Sequence, residues 1–167
     1  GKTLLRLIDD ILDLSKVEAG KVAFHYEPMS LTDLLREVRD VFANKAADKG
    51  ISLRVKPVDD AWDAVVLDKI RLRQVLFNLV GNAVKFTESG GVEISSEATT
   101  REDGRIDLTL RVKDSGIGID KQDLKTIFEA FGQARKPGGT SYGGTGLGLA
   151  ISRRFVDAMG GVLSVES

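Results

Sequence analysis

Apolar residues recur every three or four positions along several stretches of the chain, and this spacing predicts amphipathic helices. The stretches cover residues 3–19, 31–48, 69–86, 120–128 and 147–159. Ser30 or Thr32 can cap the second helix, and Asp68 can cap the third. Asp120 can cap the fourth, with Asp123 as the partner in a capping box. We therefore expect helices along most of the chain, separated by shorter elements.

Alternation of apolar and polar residues predicts strands between these helices. It occurs in residues 22–30, 51–57, 92–99, 106–113 and 162–166, and a further short apolar run covers residues 61–67. Residues 92–99 and 106–113 flank a polar connection that contains a glycine, so we expect them to pair as a hairpin. This order of elements predicts an α+β fold, an α/β two-layer sandwich with helices on one face of a mixed sheet.

The third predicted helix carries an unusual polar face. Asn78 and Asn82 lie four residues apart and therefore share one side of the helix, close to Lys85. Asn is a mediocre helix former because its amide competes for backbone hydrogen bonds, so two of them in register require an explanation. Two side-chain carbonyls and an ammonium group suit a hydrated hard cation that carries phosphates. A solvated polar face with incidental asparagines is the alternative.

Two glycine-containing stretches suit the close approach of a ligand. Residues 114–119 (DSGIGI) follow a strand, where a carboxylate can accept a hydrogen bond from an exocyclic amine while the glycines let the chain pass close to a ring. Residues 143–149 (GGTGLGL) open a helix, whose exposed N–H groups and positive dipole end favour phosphate. The first signal is weak alone, with a simple turn as the alternative, and the second is only moderately specific. Residues 130–145 are rich in glycine without periodicity, which predicts a mobile loop.

Composition narrows the classes of function. Apolar residues make up 42% and charged residues 29%, as in ordinary globular proteins, and the formal net charge is −1 without a basic block, which argues against a nucleic-acid partner. The chain has no cysteine, which fits a reducing cytoplasm, and no apolar run of membrane-spanning length, so we expect no membrane contact. The start without Met and the end at Ser167, directly after a strand-like run, predict an excised fragment with a truncated C-terminus.

Four motifs, taken together and in order, resemble the N, G1, F and G2 boxes of sensor histidine kinases. They are NLVGNAVKFT (78–87), DSGIGI (114–119), IFEAF (127–131) and GGTGLGLAIS (143–152). Residues 21–167 look like the catalytic ATP-binding domain of these kinases, which has the Bergerat fold of the GHKL superfamily, shared with gyrase-type ATPases. Residues 1–20 are similar to the end of their second dimerisation helix. The resemblance implies transfer of the ATP γ-phosphoryl group to a His and then to an Asp of a response regulator.

The same resemblance implies roles for individual residues, with ATP and Mg²⁺ as cofactors. Asn78 matches the magnesium ligand, and Asn82 and Lys85 match residues that contact the phosphates and the hydration shell of the metal. Asp114 matches the residue that reads the adenine amino group. The remaining matches in the ATP site are the G1 glycines Gly116 and Gly118, the F-box residues Phe128 and Phe131, and the G2 residues Gly144, Thr145, Gly146, Leu147, Gly148 and Leu149.

Departures from the family pattern refine these expectations. Gyrase-type relatives carry a Glu general base one turn before the first Asn, whereas this chain has Gln74, whose amide cannot accept the proton. Many kinases have a basic pair where Thr140 and Ser141 stand, and Ala130 replaces the usual F-box proline. The surroundings of His25, the only histidine, do not match the phosphoacceptor motif. We therefore expect a fragment that binds ATP but does not phosphorylate itself, and assign no general base.

The resemblance also implies partners and leaves rivals open. The implied partners are the phosphoacceptor helix of the same kinase, within a homodimeric parent, and the receiver domain of a response regulator. With its partner helix missing, the apolar stripe of residues 3–19 should be exposed: it consists of Leu4, Ile8, Ile11 and Leu12. A gyrase- or chaperone-type ATPase is the first rival, and a degenerate nucleotide-binding scaffold is the second.

Overall fold

The computed structural model describes residues 2–132 and 145–167. In chain order its elements are α1 (Lys2–Glu18), β1 (Glu27–Ser30), α2 (Leu31–Asp48), β2 (Ser52–Val55), β3 (Ala64–Leu67), α3 (Lys69–Phe86), β4 (Gly91–Thr100), β5 (Ile106–Asp114) and α4 (Gly148–Ala158), with 3₁₀ turns at Asp60–Trp62 and Asp123–Lys125. The chain forms two compact units. His25–Ile117 form the central unit, and Gly1–Phe24 together with Gly118–Ser167 form the terminal unit.

The central unit contains a mixed sheet of three strands and a separate pair of strands. β2 runs parallel to β4, and β4 pairs antiparallel with β5 in the hairpin predicted from the sequence. The hairpin register sets Val92 opposite Asp114, so Asp114 lies at the end of β5 beside the start of β4. β1 and β3 form the antiparallel pair, with Glu27 opposite Leu67.

Helices α2 and α3 pack on the mixed sheet and build the core of the central unit. Leu34, Leu35 and Val38 of α2 are fully buried, as are Val80 and Val84 of α3. β4 contributes Val92 and Ile94 from alternate positions of the strand. The helical stripe and the strand alternation read from the sequence therefore meet in one apolar layer, and the predicted two-layer α+β fold is confirmed.

The terminal unit is built around α1 and α4. Leu147 and Phe155 are fully buried in it, Ile151 and Ile127 are nearly so, and the Arg154 guanidinium reaches the Glu18 carboxylate at 3.3 Å. The apolar stripe of α1 is exposed as predicted, with Leu4, Ile8, Ile11 and Leu12 between 40% and 63% accessible, and the flanking Leu5 is 64% accessible. No helix within residues 2–132 and 145–167 is long and apolar enough to cross a membrane.

The strand predicted for residues 22–30 is wrong over its first half. β3 is only four residues long, so the ladder with β1 stops at the Glu27–Leu67 pair. The next residue after β3, Asp68, belongs to the start of α3, and its carboxylate accepts the His25 N–H at 2.8 Å. The His25 amide therefore bonds to a side chain where a strand residue would bond to a neighbouring strand.

Two further elements also differ from prediction. Residues 120–128 contain only the 3₁₀ turn Asp123–Lys125, because the Asp120 carbonyl, not its side chain, accepts the Asp123 and Leu124 amides. Nine mostly polar residues are too few to propagate a helix without a cap. Residues 162–166 form no strand within the part of the chain that the structure describes, since no strand there pairs with them and Val162 is 87% exposed.

Candidate functional site

The polar face of α3 is set by how the helix begins. The Asp68 side chain is almost fully buried and accepts the Arg71 N–H at 2.9 Å, as expected of an N-cap carboxylate. The same side chain accepts the His25 N–H, so it ties α3 to the segment before β1. A cap that fixes the first turn also fixes the rotation of every later residue about the helix axis.

Asn78 and Asn82 then lie one turn apart, as the sequence predicts. Both side chains are half-buried, next to the buried positions Leu76 and Val80 that anchor the helix in the core. One turn before Asn78, the Gln74 Oε1 accepts a hydrogen bond from the Arg71 guanidinium at 3.2 Å. Two amide side chains therefore share this face of the helix, and the Gln74 position carries no carboxylate.

Lys85 follows on the same helix, and its charge is disfavoured by its surroundings. Burial lowers the pKa of the Lys85 ammonium below its usual range, and the positive charge of Lys45 lowers it further. Lys85 Nζ also lies 4.8 Å from the centroid of the Phe86 ring. An ammonium group that is partly desolvated and repelled by a second cation gains most when an anion arrives.

The segment after β5 lies directly against the end of α3. The exposed Asp114 carboxylate accepts the Gly116 N–H at 2.8 Å, and the Ile117 N–H donates to the Phe86 carbonyl at 3.3 Å. A Cβ atom at Gly116 would lie 2.6 Å from that carbonyl oxygen, which is shorter than side chains tolerate. Only glycine therefore allows this approach, and the structure brings Asp114 and Gly116 together with the turn that carries Lys85.

In the terminal unit, a second group of candidates surrounds the start of α4. The Thr145 hydroxyl accepts the Leu147 N–H at 3.3 Å, and the Phe131 N–H donates to the Gly146 carbonyl at 2.9 Å. A Cβ atom at Gly146 would lie 2.8 Å from the Phe131 backbone, and the Gly146 φ of +69° also favours glycine. Leu147 is fully buried, so it anchors the first turn of α4 in the core.

The other candidates of this unit are placed individually. The Phe128 ring is half-buried and carries the Arg153 guanidinium 5.1 Å from its centroid, whereas the Phe131 side chain is 64% exposed. Gly118 is exposed and has a positive φ of +72°. Gly148 opens α4, with Leu149 after it, and both are half-buried. Gly144 and most of the loop predicted for residues 130–145, namely 133–144, lie outside the described residues.

Sequence reasoning missed three residues that support the site. Lys49 donates from its ammonium group to the carbonyls of Val84 and Lys85, and Thr87 is fully buried with its hydroxyl bonded to the end of α3. The Ser115 hydroxyl bridges the turn before β4, because it accepts the Gly91 N–H and donates to the Ser89 carbonyl, both at 2.9 Å. A Thr directly after a helix is a readable signal, but nothing near Lys49 in the sequence indicates a contact some 35 residues away.

The chain is similar to known proteins over most of its length. The family described as histidine kinase-, DNA gyrase B- and HSP90-like ATPase matches residues 67–167. The histidine-protein kinase BarA of Escherichia coli K12 is 41% identical over 98% of this chain and 18% of its own length. The sensor kinase/phosphatase LuxQ of Vibrio vulnificus is 38% identical over all of this chain and 20% of its own length. The chain thus spans about a fifth of the length of these curated relatives.

Solved structures are also similar to this chain. Full-length ShkA in complex with AMPPNP superposes with a TM-score of 0.75 and 36% identity, covering 94% of this chain and 31% of ShkA. The catalytic domain of the histidine kinase ThkA gives a TM-score of 0.61 and 28% identity, covering 81% of this chain and 84% of that domain. The family match begins at the last residue of β3 and runs through α3, the Asp114 segment and α4. The chain belongs to the histidine kinase-, DNA gyrase B- and HSP90-like ATPase family.

Proposed function

We propose that this chain is the ATP-binding catalytic domain of a sensor histidine kinase and that it directs the γ-phosphoryl group of ATP to a His on a separate helix. The observation that carries the proposal is the polar face of α3 held against the Asp114–Gly116 segment, where only glycine fits. The kinases BarA and LuxQ match nearly the whole chain, and the similar ShkA structure holds AMPPNP, an ATP analogue.

In the central unit, each candidate has a role that its chemistry fits. Asn78 would offer its amide oxygen to Mg²⁺, and Asn82 and Lys85 would contact the phosphates and the metal-bound water. Asp114 would accept a hydrogen bond from the adenine amino group, while Gly116 keeps the backbone clear of a side chain. Bound Mg²⁺ would neutralise charge on the phosphates. The half-buried amides and the partly desolvated ammonium group suit such a polyanion.

In the terminal unit, the proposed roles are those that the family resemblance implies for the F and G2 boxes. Phe128 and Phe131 would support the segment that joins these two boxes, and Gly118 would allow close approach of the chain to the base. Gly144, Gly146 and Gly148 would present backbone N–H groups to the phosphates. Thr145 and Leu149 would line the same end of the site, and the buried Leu147 anchors the first turn of α4.

Transfer is favoured over hydrolysis by the residue one turn before Asn78. An ATPase of the gyrase or chaperone type needs a general base there, and Gln74 cannot take a proton from water. Its Oε1 already accepts a hydrogen bond from Arg71, which orients the amide. The proposed catalysis is therefore positioning and charge stabilisation by the chain, with the nucleophile supplied by the acceptor helix.

We propose that residues 1–20 are the end of a dimerisation helix and residues 21–167 the catalytic domain of a homodimeric parent that works in the cytoplasm. Its partners would be the acceptor helix of that parent and the receiver domain of a response regulator. Mixing this chain with a separately prepared acceptor helix and labelled ATP should yield phosphohistidine on the helix. ATP binding without any transfer would contradict the kinase assignment.

The adenine assignment has its own test. In Asp114→Asn, the amide oxygen can still accept the Gly116 N–H, so the turn should remain folded while adenine faces an altered partner. We expect the ATP dissociation constant, measured by calorimetry, to rise at least about tenfold. Asp107→Asn removes an exposed carboxylate from the same strand and should leave ATP affinity unchanged. Equal affinity in both variants would refute the adenine role of Asp114.

A further inference from the structure

The last turn of α3 carries Lys85, so its conformation decides where that ammonium group points. The final four carbonyl groups of an α-helix have no partner within the helix and need one elsewhere. In α3 these are the carbonyls of residues 83–86, and every one of them accepts at least one hydrogen bond from a residue outside the helix. The end of this helix is therefore held by identifiable donors, each of which can be tested.

One donor serves two of the four carbonyls. Lys49 Nζ donates to the Val84 carbonyl at 3.0 Å and to the Lys85 carbonyl at 2.9 Å. The Lys49 side chain is only 23% exposed, and its third contact is an ion pair at 3.3 Å with the Glu88 carboxylate, which is 78% exposed. A cation at a helix C-terminus also interacts favourably with the helix dipole. The two carbonyl bonds are the shorter and less exposed part of this arrangement.

The other two carbonyls have donors close to the candidate site. The Thr87 hydroxyl and amide donate to the Ala83 carbonyl at 2.7 and 3.1 Å. The Ile117 N–H donates to the Phe86 carbonyl, the same oxygen that excludes a side chain at Gly116. The last turn of α3 is thus joined to the Asp114 segment on one side and to the end of α2, through Lys49, on the other.

We propose that Lys49 is a positioning residue for the phosphate half of the nucleotide site. Its bonds to the Val84 and Lys85 carbonyls hold the last turn of α3 in helical geometry, so the Lys85 ammonium stays directed at the phosphates. This inference rests on the proposed function, because it presumes that ATP binds at this face. In this role Lys49 acts through the backbone that carries Lys85, because its ammonium group is engaged with the carbonyls of Val84 and Lys85.

The experiment compares four proteins under conditions where all give the native circular dichroism spectrum: the wild type, Lys49→Met, Lys49→Arg and Lys45→Met. Lys45→Met is the matched control, because Lys45 is a second cation on α2 whose positive charge lowers the pKa of Lys85, after the larger effect of burial. The dissociation constants of Mg²⁺–ATP and of adenosine are measured for each. Adenosine lacks the phosphates, so its affinity should not depend on Lys85. A loss of adenosine affinity would therefore show that the whole site has loosened.

Lys49→Met should weaken Mg²⁺–ATP binding about fivefold to tenfold, as expected for one or two lost hydrogen bonds to a charged donor. It should change adenosine binding less than about twofold, and Lys49→Arg should restore most of the ATP affinity because guanidinium can donate to both carbonyls. If Lys49→Met does not fold, Lys49→Gln, which keeps an uncharged donor, is judged by the same ratio of ATP to adenosine affinity.

Other outcomes overturn the inference in distinct ways. An equal loss in Lys45→Met would assign the effect to charge alone. An equal loss of adenosine affinity would show general loosening of the fold, and unchanged ATP affinity would remove any role of Lys49. If the wild type binds no ATP at all, the proposed function itself fails. In every other case ATP binding by the wild type stands, and only the role of Lys49 is rejected.

Discussion

Gly116→Ala offers the sharpest test of the central part of the site, because the conflict it creates is steric. The added Cβ would lie 2.6 Å from the Phe86 carbonyl oxygen and 2.7 Å from Asp114 Oδ1. To reach ordinary contact, the segment must retreat by about 0.8 Å. That shift opposes both the Ile117 N–H bond to Phe86 and the Gly116 N–H bond to Asp114.

The expected cost has two measurable parts. Overpacking of this kind lowers the free energy of unfolding by about 1 to 3 kcal/mol. Because displacement of a positioned group by about 1 Å can reduce function a hundredfold, the ATP dissociation constant should rise between about tenfold and a hundredfold. Urea denaturation gives the first quantity and calorimetric titration with Mg²⁺–ATP gives the second.

Gly104→Ala is the matched control. Gly104 lies in the connection between β4 and β5 with a φ of +80° and no atom within 4 Å of an added Cβ. Alanine there is strained by about 1 to 2 kcal/mol without any steric conflict, so it should lower stability but leave ATP affinity unchanged. If Gly116→Ala binds ATP as well as Gly104→Ala does, the segment does not need close approach, and the reasoning fails.

Three further predictions concern the scaffold. Asp68→Ala should lower the free energy of unfolding by about 2 kcal/mol, because it removes acceptors of two backbone N–H groups, and urea denaturation beside Asp60→Ala checks this. Hydrogen bonds from Thr32, and then Ser30, lower the pKa of the Asp63 carboxyl below 3.8. The stability that this carboxylate contributes is therefore present above pH 3.8 and lost as the pH falls through its lower folded-state value, so the advantage of wild type over Asp63→Asn should disappear on acidification. Ile8→Glu should reduce self-association in sedimentation velocity runs, because it places a charge on the exposed apolar stripe of α1. A wild type that stays monomeric at high concentration would contradict self-association through this stripe.

The sequence predicts those parts of the fold that local chemistry decides. Apolar spacing predicts a helix over residues 31–48, and α2 spans Leu31–Asp48. Ser30, not Thr32, is the cap, because its hydroxyl accepts the Asp33 N–H. Asp68 caps α3 as expected, and β4 and β5 pair as the predicted hairpin. In each case the deciding contact joins residues within a few positions or across one connection, so the pattern contains the information.

Predictions fail where the deciding partner is distant. Residues 162–166 alternate as a strand does, but a strand also needs a neighbour, and alternation alone cannot supply one. The strand predicted for residues 22–26 is wrong because β3, some 40 residues later, is too short to pair with them. The helix predicted for residues 120–128 is wrong because the Asp120 side chain does not cap it. The remaining turn is too short to form a stable helix without a cap.

Some residues of the candidate site can be identified from the sequence, and others only from the folded chain. Asn78 and Asn82 can be identified from the sequence because two asparagines on one helix face conflict with helix propensity, and Lys85 can be identified because it lies close to that face. Lys49 conflicts with nothing in its surroundings: a Lys just before a glycine at a helix end is ordinary, and only the folded chain brings it to the carbonyls of α3. Substitutions limited to the readable residues would therefore remove contacts to ATP without asking what keeps those contacts aligned. Variants of Lys49 and Gly116 separate the contacts to ATP from the alignment of those contacts. These substitutions leave the ligand-facing side chains in place and change the backbone that carries them.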